Sequence, residues 1–356
     1  MFVDQQPEAP PAPSLTDRVI ADVGATMAAG AVVLGDRLGL YRALATEPLS
    51  PLELARRTGT APRYVEEWLR GQAAAGYVAY DPASGEYWLT PEQAQVLTDP
   101  EAALNAPAAF GFALAALRAQ GRLETAFRTG EGIGWPEHDA QVRDAWARVQ
   151  QSLYGRHLTS RWLPALSGVE AKLRRGAAVA EIACGHAVAS TLMARAFPAS
   201  RFTAFDHHPD SVATARARVA DAGLADRVQV EQSWPHTFGG GPYDLVTTFD
   251  ALHDQGDPVG IARHVAEQLA ADGTWMIVEP LAGATVSENL TPVGRLYYAI
   301  SVFLCVPSAL AQEGGHSLGA QAGEGPVRRI VQAAGFGHVR RVAQIELSAV
   351  YEVRHA

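Results

Sequence analysis

Apolar residues recur at helical spacing between Leu15 and Leu49, at Val19, Val23 and Met27 and again at Val33, Leu34 and Leu38. The spacing predicts two helices whose apolar stripe needs a partner surface. Ser50-Pro51-Leu52-Glu53 follows, with Ser at the cap, Pro at the first helical position and Glu at the third. This is a capping box for a short helix that Gly59 closes. A second helix is expected from about Arg63 to Ala75. Two short runs, Tyr77 to Tyr80 and Tyr87 to Leu89, flank the turn Asp81-Pro82-Ala83-Ser84-Gly85 and read as a β-hairpin. From about Gly176 the pattern changes. Short apolar or β-branched runs (Val179 to Ala183, Arg201 to Asp206, Val228 to Glu231, Leu245 to Asp250, Thr274 to Glu279) alternate with helical stretches at about Ser190 to Phe197, Asp210 to Ala222 and Val259 to Leu269. Strand alternating with helix predicts an α/β fold with a parallel, doubly wound sheet, whose ligands sit at the carboxyl ends of the strands.

A chain of 356 residues, 48% hydrophobic and 19% charged, has the mass for two or three domains and the composition of a globular protein. Its formal net charge of −9 argues against a general attraction to nucleic acid or anionic membrane. Helix, turn, helix, hairpin is a winged-helix pattern. Used on DNA, it would place Arg63 to Arg70 in the major groove, but Glu66 and Glu67 cancel the positive charge there. Dimer packing, and a roof over a neighbouring active site, is the plainer use. The two cysteines, Cys184 and Cys305, are far apart, so no disulfide framework is expected. The Pro-rich start, to about Ser14, lacks the features of a signal peptide and reads as a flexible tail of a cytoplasmic protein. The most apolar stretch, Tyr297 to Ala311, is interrupted by Pro307 and reads as core or pocket wall, not as a membrane span.

The first run ends in Glu181-Ile182-Ala183-Cys184-Gly185-His186-Ala187, ahead of a helix whose N-terminus suits an anion or polar ligand. Asp206 ends the second run in Phe205-Asp206-His207-His208. A carboxylate there can accept both hydroxyls of a ribose, each bond contributing ~1.5 to 3 kcal/mol. On these residues, 176–283 resemble the cofactor domain of class I S-adenosylmethionine-dependent methyltransferases. With the winged helix in front, the chain from about residue 15 resembles the O-methyltransferase-like subgroup that dimerises through such a module. The resemblance implies a Rossmann-like doubly wound sheet, S-adenosylmethionine as cofactor, a small-molecule acceptor and a homodimer. The family's first strand ends in an acid and a Gly-x-Gly-x-Gly loop; Glu181 and Gly185 match, and Ala183 and Ala187 do not. The ribose acid maps to Asp206, beside His207, and a further family acid falls at Trp234, which can stack on adenine instead. Asp250 is either a cofactor contact or an acid that orders its loop. An alanine in a glycine-only conformation costs of order 1 to 3 kcal/mol, and nothing where only a small side chain is needed.

The fourth run leads into Ala251-Leu252-His253-Asp254 and the fifth ends in Glu279-Pro280. An imidazole takes a proton near neutrality, and a neighbouring carboxylate fixes its tautomer. In the family, a Leu-His-Asp element carries the histidine that deprotonates the acceptor hydroxyl; the resemblance gives this role to His253, with Glu279 as its acid. The residues alone leave open that His253 caps the next helix and that Asp254 and Asp257 are helix-start acids. His186, His207 and His208 lack the partner spacing of a metal site. Residues 284–325 form a long insertion of the kind that serves as a lid. Its Tyr297, Tyr298 and His316, with Phe110 and Phe112, are expected around an apolar or aromatic acceptor. A helix from Val327 to Ala334 and runs at His338 to Ala343 and Glu346 to Val353 complete the sheet. The expected domains are a tail (1–14), a winged-helix dimerisation domain (15–100), a helical connector (101–170) and the cofactor domain (171–356). The altered loop and Trp234 keep a second function in view, a non-methylating cyclisation or rearrangement on the same fold with the cofactor bound, consumed otherwise or absent. A DNA-binding regulator is the third, disfavoured by charge.

Overall fold

The computed structural model describes residues 14–345 and 347–356. The expected tail therefore lies outside the described residues except for Ser14, which caps the first helix by accepting from the Asp17 backbone N–H at 3.1 Å. The chain divides into two compact units, residues 1–98 and 99–356.

The first unit contains α1 (Leu15–Arg37), α2 (Leu40–Leu44), α3 (Pro51–Thr58), α4 (Pro62–Ala74), the hairpin strands β1 (Ala79–Tyr80) and β2 (Tyr87–Trp88), and α5 (Pro91–Thr98). The capping box at Ser50 and Glu53 is formed as the sequence predicts. Val32, Tyr41, Leu44, Leu54, Val65 and Leu69 make the core. Gly35 is required where α1 meets this core, since a Cβ there would lie 2.4 Å from the Trp68 ring. On α4, Arg63 pairs with Glu67 at 2.6 Å and Arg70 with Glu66. The apolar face of α1 is largely uncovered: Ile20, Val23 and Met27 are each more than half exposed.

The second unit is built on a seven-stranded sheet. Its strands are β3 (Ala178–Ile182), β4 (Arg201–Asp206), β5 (Val228–Gln232), β6 (Tyr243–Phe249), β7 (Leu269–Pro280), β8 (His338–Ile345) and β9 (Ser348–Arg354), in the order β5-β4-β3-β6-β7-β9-β8. The first five are parallel and β9 runs antiparallel to both β7 and β8. Helices follow β3, β4, β6 and β7, whereas β5 leads through a turn segment directly into β6, and the whole is a Rossmann-like doubly wound fold. Strand order reverses beside β3, which pairs with β4 on one side and β6 on the other. A crevice opens at such a switch point, so the residues leaving β3, β4 and β6 are the ones placed to meet a ligand.

The expectation that Pro307 breaks the apolar stretch is corrected here: Pro292–Leu310 is one continuous helical segment. A proline lacks an N–H and crowds the carbonyl four residues back, and the π turn Ser301–Cys305 just before it absorbs that misfit. Both this segment and Leu15–Arg37 have the length and apolar composition of a membrane span. In this one, Tyr297, Leu304, Cys305 and Ala309 are buried in the second unit.

Candidate active site

From β3 the chain turns through residues 183–187 into the helix Val188–Ala196. Ala183, Gly185 and Ala187 have φ of 55°, 54° and 53°. All three positions of the glycine loop thus keep left-handed backbone although two carry a methyl group, at a cost of about 1 kcal/mol each. Ala187 is fully buried and its methyl packs in the core, whereas Ala183 faces a cavity. Ala183→Gly is therefore expected to stabilise the protein by about 1 kcal/mol, read as a rise of about 2 °C in Tm by scanning calorimetry. An unchanged or lower Tm contradicts this.

Below the loop, Glu181 is buried and accepts hydrogen bonds from the backbone N–H of Ser190, at 2.8 Å, and from its hydroxyl. Burial pushes its carboxyl up to about 7. Asp206, at the end of β4, accepts from the Gly185 N–H at 2.8 Å and from the His208 N–H at 2.9 Å. Burial raises its pKa above the usual carboxylate range. With one bond on each oxygen, it keeps lone pairs free for two further donors.

Parallel pairing of β6 with β7 sets Phe249 beside Val278, which brings the turn after β6 against Glu279. Asp250 leaves β6 at φ 48° and accepts from the Tyr154 hydroxyl at 3.0 Å. Burial, with Glu279 near, pushes Asp250 up to about 7. His253 is 4% exposed. Its Nδ1 bonds to one oxygen of Glu279, whose other oxygen accepts the Leu252 N–H at 3.0 Å; its Nε2 lies 3.1 Å from Asp254 Oδ1. Burial opposes the imidazolium, but the Asp254 and Glu279 carboxylates outweigh it and hold the His253 pKa well above the ordinary imidazole range. Cys305 joins the group: ligand-type atoms of His253, Asp254 and Cys305 all lie within 4.8 Å of one another, a spacing that suits a divalent ion. Burial first, and Asp254 next, push the Cys305 thiol up to about 12.

These strand-end residues open on one cavity. Gly185, Asp206, His207, Asp250 and His253 line it, together with an apolar cluster that includes Phe112, Trp135, Trp146, Ile300 and Leu304. Residues 26–99 match the Rv2258c-like winged HTH domain family, and residues 180–275 match a methyltransferase domain family. The chain joins a winged HTH domain to a methyltransferase domain. A search of curated proteins finds no significant match. Among solved structures, this methyltransferase is similar in fold to human N-acetylserotonin methyltransferase in complex with SAM, at 15% identity over 98% of this chain and 99% of that one, with a TM-score of 0.73. It is also similar to an O-methyltransferase family protein from Burkholderia thailandensis, at 18% identity over 97% and 99% of the two chains and a TM-score of 0.72. A third is the mitomycin 7-O-methyltransferase, at 19% identity over 96% and 98% and a TM-score of 0.68.

Of the residues singled out in the sequence of this methyltransferase, Ala183, Gly185, Asp206, His207, Asp250, His253, Phe112 and Tyr297 line the cavity, with Glu279 directly behind His253. Five others are placed elsewhere. Glu181 is turned to the helix start at Ser190. Trp234 is 43% exposed and stacks on the His207 ring at 4.0 Å, so the histidine, not the indole, faces the cavity. Phe110 lies two positions before Phe112 on the helix Ala106–Ala116 and so points to a different face. Tyr298 is exposed next to Tyr297, whose hydroxyl donates to the Leu347 carbonyl at 2.8 Å. The His316 side chain is exposed; only its backbone N–H reaches back, to the Gly256 carbonyl at 2.9 Å. Gln150, Trp135 and Trp146 line the site without any local sequence signal, and Ser308 with none beyond its place in the apolar stretch Tyr297 to Ala311, because they come from helices and turns distant in sequence from the strand ends.

Proposed function

We propose that this methyltransferase moves the methyl group of S-adenosylmethionine to a hydroxyl of a small molecule, with His253 as general base. The observation that carries the reading is the buried Glu279–His253 pair at the cavity wall, beside the strand ends that carry Asp206. The residues fit the cofactor: Asp206 has unfilled acceptor sites for a ribose, and Gly185 has open space where a side chain would stand. Bound there, the cofactor supplies an electrophilic methyl group. Asp206 would hold the ribose, and Gly185, with no side chain, would allow close approach. Glu279 fixes the His253 tautomer and stabilises its charged form; Asp254 draws the acceptor proton towards Nε2.

One observation favours a second reading. Between two carboxylates His253 is held as a cation, which is an acid and not a base, and an acid suits a cyclisation or rearrangement. Incubation with S-adenosylmethionine carrying a deuterated methyl group separates the two. Mass spectrometry finds the label in the product under methyl transfer, and only in the cofactor under rearrangement.

The uncovered face of α1 supports a homodimer formed through the first unit. Val23→Glu, which places a charge among Ile20 and Met27, is expected to convert the dimer to monomer in size-exclusion chromatography with light scattering. A wild-type monomer, or a variant that stays dimeric, contradicts it.

A further inference from the structure

We infer that Ser308 is a specificity residue of this site, and that the acceptor it selects is a flat hydroxyarene with a second hydrogen-bond donor beside the reacting hydroxyl and no carboxylate. The inference rests on the proposed methyl transfer for its chemistry. Ser308 is 2% exposed, lines the cavity, and its hydroxyl has no hydrogen-bond partner. A buried hydroxyl left unpaired costs about 1 to 3 kcal/mol, and a helical serine ordinarily avoids this by bonding back to its own helix. A ligand that supplies the missing partner recovers that cost, so the hydroxyl is a recognition group waiting for one.

The position of Ser308 ties it to the reacting centre. It stands three residues, one helical turn, after Cys305, which belongs to the His253 cluster. Gln312 donates to the Ser308 carbonyl at 3.0 Å and to the Asp254 carbonyl at 2.8 Å, fastening the helix that carries Ser308 to the turn that carries His253. Asp254 Oδ1 is likewise buried and has no hydrogen bond beyond its approach to His253. A carboxylate oxygen only accepts, so the group it meets must donate.

Charge sets the other half of the preference. Among the described residues, the lining includes the carboxylates of Asp206, Asp250 and Asp254 and no arginine or lysine. Both ring nitrogens of His253 are already taken up by Glu279 and Asp254, so the ring offers no free partner to an anion. An acceptor carboxylate would enter without a counter-ion and beside like charge, which is unfavourable in a desolvated site. Trp135, Trp146 and Phe112 give it flat apolar walls, which fit an aromatic ring.

Three bicyclic probes differing at one ring position test this: 2-naphthol, 2,3-dihydroxynaphthalene and 3-hydroxy-2-naphthoic acid. Each is titrated calorimetrically into the full-length protein saturated with S-adenosylhomocysteine. The diol is expected to bind about 5- to 10-fold more tightly than the mono-ol, and the acid at least about 10-fold more weakly than the diol. Ser308→Ala is expected to bring the diol down to the mono-ol's affinity while leaving the mono-ol and S-adenosylhomocysteine unaffected; Ser308→Thr, which keeps the hydroxyl, retains the preference. Acid binding as tight as the diol's, no diol preference in the wild type, no binding of any probe, or a preference that survives Ser308→Ala overturns the inference. The preceding titration with S-adenosylhomocysteine keeps the outcomes apart: no binding there strikes the proposed function, whereas a bound nucleoside with undiscriminated probes strikes Ser308 alone.

Discussion

Replacing His253 by alanine is expected to lower kcat for methyl transfer about 10²- to 10⁴-fold while leaving the affinity for S-adenosylhomocysteine unchanged. Alanine removes a cavity-wall imidazole that is backed by the buried Glu279 carboxylate at Nδ1 and has Asp254 at Nε2. The sign of the pH dependence follows from the same contacts. Asp254 and Glu279 hold the folded pKa above the ordinary imidazole value, so at neutrality the cation predominates and the neutral base grows as pH rises. Methyl transfer is therefore expected to climb from pH 7 upward and level off above the His253 pKa. Asp254→Asn, which removes one of the charges that raise it, should move that inflection to lower pH. A rate that falls as pH rises would identify the imidazolium as the working form and favour rearrangement over methyl transfer.

Asp206→Ala carries the second large expected effect. Two ribose hydrogen bonds of ~1.5 to 3 kcal/mol each amount to about a 10²- to 10⁴-fold loss in cofactor affinity, measured by calorimetric titration of S-adenosylhomocysteine. Asp206 also accepts the Gly185 and His208 N–H groups, so alanine loosens the loop as well as the ribose contact. Asp206→Asn keeps one acceptor oxygen and should fall between wild type and alanine. Binding by the alanine variant that matches wild type would remove Asp206 from the cofactor site.

Legibility in the sequence tracks how local each signal is. The β3, β4, β6 and β7 runs were readable because a parallel strand buried on both faces is a continuous apolar run, and the acids that close them mark strand ends. His253 and Glu279 were readable for the same reason, since one sits just past β6 and the other at the carboxyl end of β7. The conformation of Ala183 and Ala187 was not, because alanine carries no mark of left-handed backbone; only the loop's fold shows that both adopt it. Trp234 and Tyr298 illustrate a different limit. Sequence position placed them close to the site, but their orientation depends on the His207 ring in one case and on helix phase in the other. Ser308 gave no signal beyond belonging to the apolar stretch Tyr297 to Ala311, and Tyr154 gave none; packing between segments far apart in the chain brings the first to the cavity and the second to Asp250.

The central claim, that the switch point of this sheet holds the nucleoside of S-adenosylmethionine, is tested most directly by a crystal structure of the full-length protein grown with S-adenosylhomocysteine. The account predicts both ribose hydroxyls within hydrogen-bond distance of Asp206 and the sulfur facing the His253 side of the cavity. A nucleoside bound elsewhere, or a cavity that stays empty of it at saturating concentration, would contradict it.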